Sequence, residues 1–184
     1  MDPIATFTAA CNEAKQVLAK VGPDQWTLAS PCSEWDVRGV ANHMTGGALM
    51  VAAALTGQPM AHVDDYVGDD PLGAFSAAAD AAVAAFNADP AVLGRMIKLP
   101  FGEMPAGAVA GIFTNDEFAH AWDVAKATGQ NTNLNPALAE GCLEAAKQFI
   151  GPDFRKPGLF LEEQAAPDGA SAADRLAAFM GRSV

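Results

Sequence analysis

The chain has 184 residues, enough for one domain with a sizeable core and short for two. Half of it is apolar (51%), with few aromatic residues, and its net charge is −11. That charge, with no cluster of Lys or Arg anywhere, argues against a nucleic-acid or anionic-membrane partner, because phosphate binding requires a basic patch. The three cysteines, Cys11, Cys32 and Cys142, are far apart and form no CxxC pair, which argues against a disulfide framework. The opening MDPIATFTAACNEAK has no basic start and so is not a signal peptide, and the Ala-rich stretch 46–57 is too short to span a bilayer. The expectation is a soluble, cytoplasmic, single-domain protein over residues 1–184.

In chain order, a first helix is predicted over 3–20, with Asp2 as N-cap, Pro3 at the first helical position and a stop at Gly22-Pro23. A turn-rich loop carrying Trp26 and Trp35 follows. A second helix is predicted to begin at Ser33, where Ser33 and Asp36 have the spacing of a capping box, and to run to about Thr56 before Gly57. An acidic loop over 58–69 leads to a third helix over 71–87. The segment from Ala91 to Pro105 has the β-branched, Gly and Pro content of a short irregular hairpin. A fourth helix is predicted from Ala106 to Thr128, closing at Gly129, and a fifth from Asn135-Pro136 to near Gly151. The tail is predicted to hold one extended piece near 158–165 and a short helix over 171–180. Long alanine-rich helices with modest connections predict an all-α fold, a four-helix bundle with short irregular or β pieces near 91–101 and 158–165.

Two of the three histidines fall on predicted core faces. His43 follows Val40 and precedes Gly47 on the second helix; His120 lies one turn after Asp116 on the fourth. Two imidazoles and a carboxylate form a familiar ligand set for a divalent cation, and an i, i+4 pair offers two ligands from one rigid face. Glu117, three residues before His120, competes with Asp116 as the middle ligand or supports the site from behind. Two other arrangements fit the same residues: interior polar groups that satisfy one another, and a catalytic dyad without metal. The glycine pair Gly46-Gly47, within one turn of His43, leaves room for a ligand or serves close helix packing.

The remaining candidates are fewer. Cys32, just before the predicted start of the second helix, is placed to gain thiolate character from the helix dipole, or is a small apolar loop residue. Trp35 and Trp122 are expected in packing, and His62 in solvent. Asp123 is expected to bond a ligand imidazole or cap a turn. Arg38 and Arg182 are sparse cations that either meet an anionic substrate or form surface ion pairs.

The stretches SPCSEWDVRGVANHMTGG (30–47) and HAWDVAKATGQ (120–130), with the ending ADRLAAFMGRSV (173–184), resemble the actinobacterial branch of the DinB/YfiT-like superfamily. The nearest likeness is to proteins related to the N-terminal metal-binding domain of mycothiol-dependent maleylpyruvate isomerase. The resemblance implies a four-helix bundle holding a divalent metal (Zn, Ni, Fe(II) or Mn) through His43, Asp116 and His120. Asp116 departs from the Glu or His found at that position in other members. Also implied are a small electrophilic substrate and a low-molecular-weight thiol of the mycothiol type as co-substrate of a transferase or isomerase. The alternative is a non-catalytic metal- or small-molecule-binding bundle. Bundles of this kind often pair as homodimers, but no apolar stripe in the sequence demands it.

Overall fold

A computed structural model describes residues 2–89, 91–156 and 159–184. Its helices are α1 (Pro3–Leu18), α2 (Val37–Thr56), α3 (Pro71–Asn87), α4 (Ala106–Ala127), α5 (Pro136–Phe149) and α6 (Ala172–Phe179). Between α3 and α4 lies one antiparallel hairpin, β1 (Met96–Leu99) and β2 (Gly102–Pro105), with Met96 opposite Pro105 and Leu99 opposite Gly102. Its alternation buries Ile97 and Leu99 and leaves Met96 and Lys98 outside. The helical bundle with a short hairpin agrees with the sequence reading.

Helices α1 to α4 form the bundle: α2 packs on α3 and α4, and α1 on α3 and α4. The interfaces are made by small and aromatic side chains, Ala10, Ala14, Ala79 and Ala82 beside Phe7 and Phe86. Phe7 and Phe86 meet edge to face with centroids 5.5 Å apart, an arrangement that stabilises by about 1 kcal/mol beyond its buried area. Helices α5 and α6 pack on each other and against α4. Helix α4 is therefore enclosed on several sides, and buried residues occur around much of its circumference.

Several helix starts carry the expected chemistry. Asp2, Asp70, Asn135 and Ser171 each accept a backbone N–H of the first turn, and Pro occupies the first helical position of α1, α3 and α5. Helix α2 differs from expectation. It starts at Val37, not Ser33, and Asp36 is its N-cap, accepting the Gly39 N–H at 2.7 Å. The reason is long-range: the Val37 and Arg38 N–H groups donate to the carbonyls of Leu28 and Trp26, and the Ser30 hydroxyl bonds the carbonyls of Cys32 and Trp35. The Trp35 N–H donates to the Cys32 carbonyl within this loop, so the chain is committed to a turn here before the helix begins. The first helix ends at Leu18 and the fifth at Phe149, each a turn or less short of the sequence limits. The extended piece expected near 158–165 reduces, among the described residues, to a single bridge between Arg155 and Phe160; Gly158 lies outside them. No helix among the described residues is long and apolar enough to cross a membrane.

Candidate metal centre

His43 projects from the middle of α2, and Asp116 and His120 from successive turns of α4. The packing of these two helices brings the three together, with ligand-capable atoms all within 4.8 Å of one another. His43 Nε2 lies 3.3 Å from Asp116 Oδ2 and 3.4 Å from Oδ1, and His120 Nε2 lies 3.5 Å from Oδ1. Only the His43–Oδ1 contact has hydrogen-bond geometry, so Oδ2, though closer, is a buried oxygen without a hydrogen-bond partner. Such an orphan is costly in a folded protein, and this one, unlike the two of Glu117, sits among other ligand-capable atoms. The spacing has a meaning of its own. Two ligands each about 2.0–2.1 Å from a tetrahedral ion stand about 3.3–3.4 Å apart, close to the nitrogen–oxygen separations here. The donor set and its spacing fit a divalent cation.

The electrostatics agree with a compensated carboxylate. Burial pushes Asp116 up, but the imidazoles of His120 and His43 outweigh it and hold the carboxyl down to about 2. Burial alone would lower His43; its hydrogen bond to Asp116 and the carboxylate charge raise it on balance.

Two aromatic contacts hold the rings. Trp35 stacks on His43 with centroids 4.4 Å apart, and its ring centre is 5.7 Å from that of His120. A side chain at position 39 would collide with Trp35 at 2.9 Å, so Gly39 is what lets this indole lie against α2. On its far side, His120 Nδ1 donates to Asp123 Oδ2 at 3.0 Å. Asp123 is in turn gripped by Arg182, whose Nε donates to Oδ1 at 3.2 Å and Nη2 to Oδ2 at 2.9 Å. Burial raises the Asp123 carboxyl, and Arg182 together with His120 more than reverses this, leaving it below the usual range.

His43 and Asp116 line an open cleft of about 1030 Å³ between α2, α4, the 58–66 loop and the hairpin. Met50, Ile112, Phe113, Leu99 and Phe101 supply much of its apolar wall, and Lys98 is the one Lys or Arg among its lining residues. The loop is tied to a single face of α2. Arg38 pairs with Asp65, Asn42 accepts the Tyr66 N–H, and the Tyr66 ring covers Gly46.

Several sequence readings need correction. Glu117 is neither a member of the ligand cluster nor a support for it. It is fully buried, neither carboxyl oxygen has a hydrogen-bond partner, and burial, then Asp116, push its pKa well up. Gly46 and Gly47 do not leave open space: an added Cβ would meet Tyr66 at 2.8 Å and Phe113 at 3.0 Å, so close packing explains both. Cys32 lies five residues before α2, outside reach of its dipole, and burial pushes its thiol up. Cys32, His120 and Asp123 do lie within 4.8 Å of one another, but both Asp123 oxygens already serve Arg182. Arg182 is mostly withdrawn from solvent in its pair with Asp123, whereas Arg38 does form an exposed pair. Trp122 packs with its Nε1–H on Asp174, and His62 is exposed, as expected. No signal within a short window could have joined Arg182 to Asp123.

Comparison with known proteins places this geometry in context. The model of the mycothiol maleylpyruvate isomerase N-terminal domain matches residues 7–125. Uncharacterized proteins from two strains of Mycobacterium tuberculosis are each 41% identical over 187 residues, spanning the whole of both chains. No solved structure matches. The chain belongs to the mycothiol maleylpyruvate isomerase N-terminal domain family, within the DinB/YfiT-like superfamily.

Proposed function

We propose that this family member binds a divalent cation through His43, Asp116 and His120, and that the adjoining cleft is where a small electrophile meets a low-molecular-weight thiol of the mycothiol type. The observation that carries the reading is the convergence of these three side chains around a buried Asp116 oxygen that lacks a hydrogen bond. A cation bound there would supply Lewis acidity, lowering the pKa of a coordinated thiol so that thiolate is present near neutral pH. Metal-dependent thiol transfer or isomerisation is the reaction class.

The chain's own residues have separable tasks. Asp116 contributes the negative charge that offsets a cation in a poorly solvated place. His120, bonded behind by Asp123, keeps Nε2 toward the cluster, and Trp35 restricts the His43 ring. Met50, Ile112 and Phe113 make the cleft wall beside His43 and Asp116 apolar, which would strengthen polar contacts made there once a ligand displaces water. The donor set suits Zn, Ni, Fe(II) or Mn.

The test is elemental analysis of protein purified without added metal, beside His43→Ala, followed by thiol-conjugation assays with and without a chelator. The reading expects about one equivalent of a transition metal in the wild type, loss in the variant, and activity that chelation removes and metal restores. Activity indifferent to chelation would defeat the catalytic part. Failure of the wild-type protein to take up any of these cations would defeat the whole.

A further inference from the structure

Behind His120, on the side away from the cleft, an aspartate and an arginine are paired out of water. The Asp123 side chain is 0% exposed and that of Arg182 is 11% exposed. The arginine comes from beyond α6, outside the span matched by the family model. Its backbone is fixed by the way α6 ends. Gly181 adopts φ 93°, its N–H donates to the Ala178 carbonyl, and the Arg182 N–H donates to the Ala177 carbonyl. These two bonds are a Schellman closure, which requires the left-handed conformation that glycine takes without strain. The same helix is held to α4 by Asp174, which accepts the Trp122 Nε1–H at 2.8 Å. One helix end thus delivers a guanidinium to a fixed point beside Asp123.

The fork geometry determines what Asp123 can do next. Both its oxygens accept from Arg182, so the carboxylate cannot rotate without breaking a bidentate pair. A carboxylate only accepts, so His120 Nδ1 must be the donor in their 3.0 Å contact. In the neutral ring the remaining nitrogen, Nε2, then carries the lone pair, and it faces Asp116.

We infer that Arg182 is a positioning residue of this site: through Asp123 it fixes the ring orientation and the Nδ1–H tautomer of His120, presenting Nε2 to Asp116 and His43. Its consequence for metal affinity rests on the metal-binding reading above; its consequence for the tautomer does not.

The experiment uses the full chain as wild type, Arg182→Met, Arg182→Lys and Asp174→Ala. The last loosens α6 from α4 without touching Asp123. Long-range nitrogen–proton NMR of the metal-free protein at pH 8 reads the His120 tautomer. Competition with a chromophoric chelator reads the Zn²⁺ dissociation constant, and Co²⁺ absorption reads the coordination geometry. Wild type and Asp174→Ala should show the Nδ1–H form, and Arg182→Met a mixture. Zn²⁺ affinity should fall about 10- to 100-fold in Arg182→Met with an altered Co²⁺ spectrum. Arg182→Lys, which keeps the charge and loses the fork, should fall between; if the Met variant does not fold, the Lys variant decides by the same readouts. A single Nδ1–H tautomer in Arg182→Met overturns the inference. So does wild-type Zn²⁺ affinity in that variant, or an equal loss in Asp174→Ala, which would indicate general loosening. Absence of Zn²⁺ and Co²⁺ binding by the wild type defeats the metal reading alone, and the tautomer then decides the role of Arg182.

Discussion

Glu117 provides the sharpest thermodynamic test, because it is a carboxyl in the core with neither oxygen hydrogen-bonded. Its charge would also reach the Cys11 thiol of α1, itself pushed up first by burial and then by Glu117. Replacing Glu117 by Met keeps a similar length and removes both unsatisfied oxygens, each of which costs about 1–3 kcal/mol when buried unpaired. A second contribution depends on pH. The folded state keeps a proton that the unfolded state gives up above the ordinary value of 4.5, so wild-type stability falls as pH rises. The slope is about 1.4 kcal/mol per pH unit wherever the folded carboxyl keeps a proton that the unfolded one has lost. Urea unfolding of metal-free Glu117→Met should therefore show higher stability, with an advantage over wild type that widens as pH rises. In a chain of this size each 1 kcal/mol raises the melting temperature by about 2–4 °C. Glu117→Gln should flatten the pH dependence while retaining unsatisfied polar atoms. If the wild-type and Glu117→Met curves run parallel from pH 4.5 to 8, Glu117 is not held protonated in the fold and the reasoning fails.

Asp116→Asn removes the anionic charge and keeps the shape, so Zn²⁺ binding measured by chelator competition should weaken at least tenfold, while Glu117→Gln changes it little. The reverse pattern would move the middle ligand by one residue. Adding a chelator to metal-loaded wild type should lower its melting temperature, because an ion bound only to the folded state stabilises it by mass action; an unchanged melting temperature argues against a bound ion. For the metal-free protein, the depressed Asp116 carboxyl stabilises the fold above its ordinary value of 3.8, and this is lost as pH falls toward about 2. Asp116→Asn should remove that component from an acid-unfolding curve, and an unaltered acid limb would show that Asp116 is not compensated. Gly46→Leu should displace the Tyr66 ring and hasten hydrogen exchange over residues 58–70; exchange equal to wild type would contradict the close packing at that point.

Much of the fold was legible because helix starts are local. Asp2-Pro3 and Asn135-Pro136 put an N-cap and a pre-set φ next to each other, and the structure begins helices there. Ser33 and Asp36 looked equally local, but bonds from Val37 and Arg38 back to Leu28 and Trp26 decided the matter, and no short window contains both ends. The trio His43, Asp116 and His120 was recognisable from spacing and motif together, and the packing of α2 on α4 brings the three into reach. Glu117 was misread for a different reason. It was expected as the alternative ligand or a support behind the site, but α4 packs against α1, α2, α5 and α6, so a residue about 100° round from Asp116 is buried away from the cluster. The near absence of charge from Ala106 to Ala121, apart from Asp116 and Glu117, was the available signal. Arg182 lies 59 residues from Asp123, beyond any local pattern.

The two histidines of the cluster differ in how they meet solvent: the His43 side chain is 36% exposed and that of His120 is 8% exposed. This gives the site a direction. An ion travelling along the cleft would meet His43 and Asp116 first and reach His120 last, and would leave in the opposite order. Residence time would then depend chiefly on how easily the His43 ring swings out from under Trp35, while equilibrium affinity would depend on all three ligands. Loosening Trp35 would speed metal entry and exit together with a smaller effect on occupancy. A substrate filling the cleft would act as a plug, slowing exchange without adding a ligand.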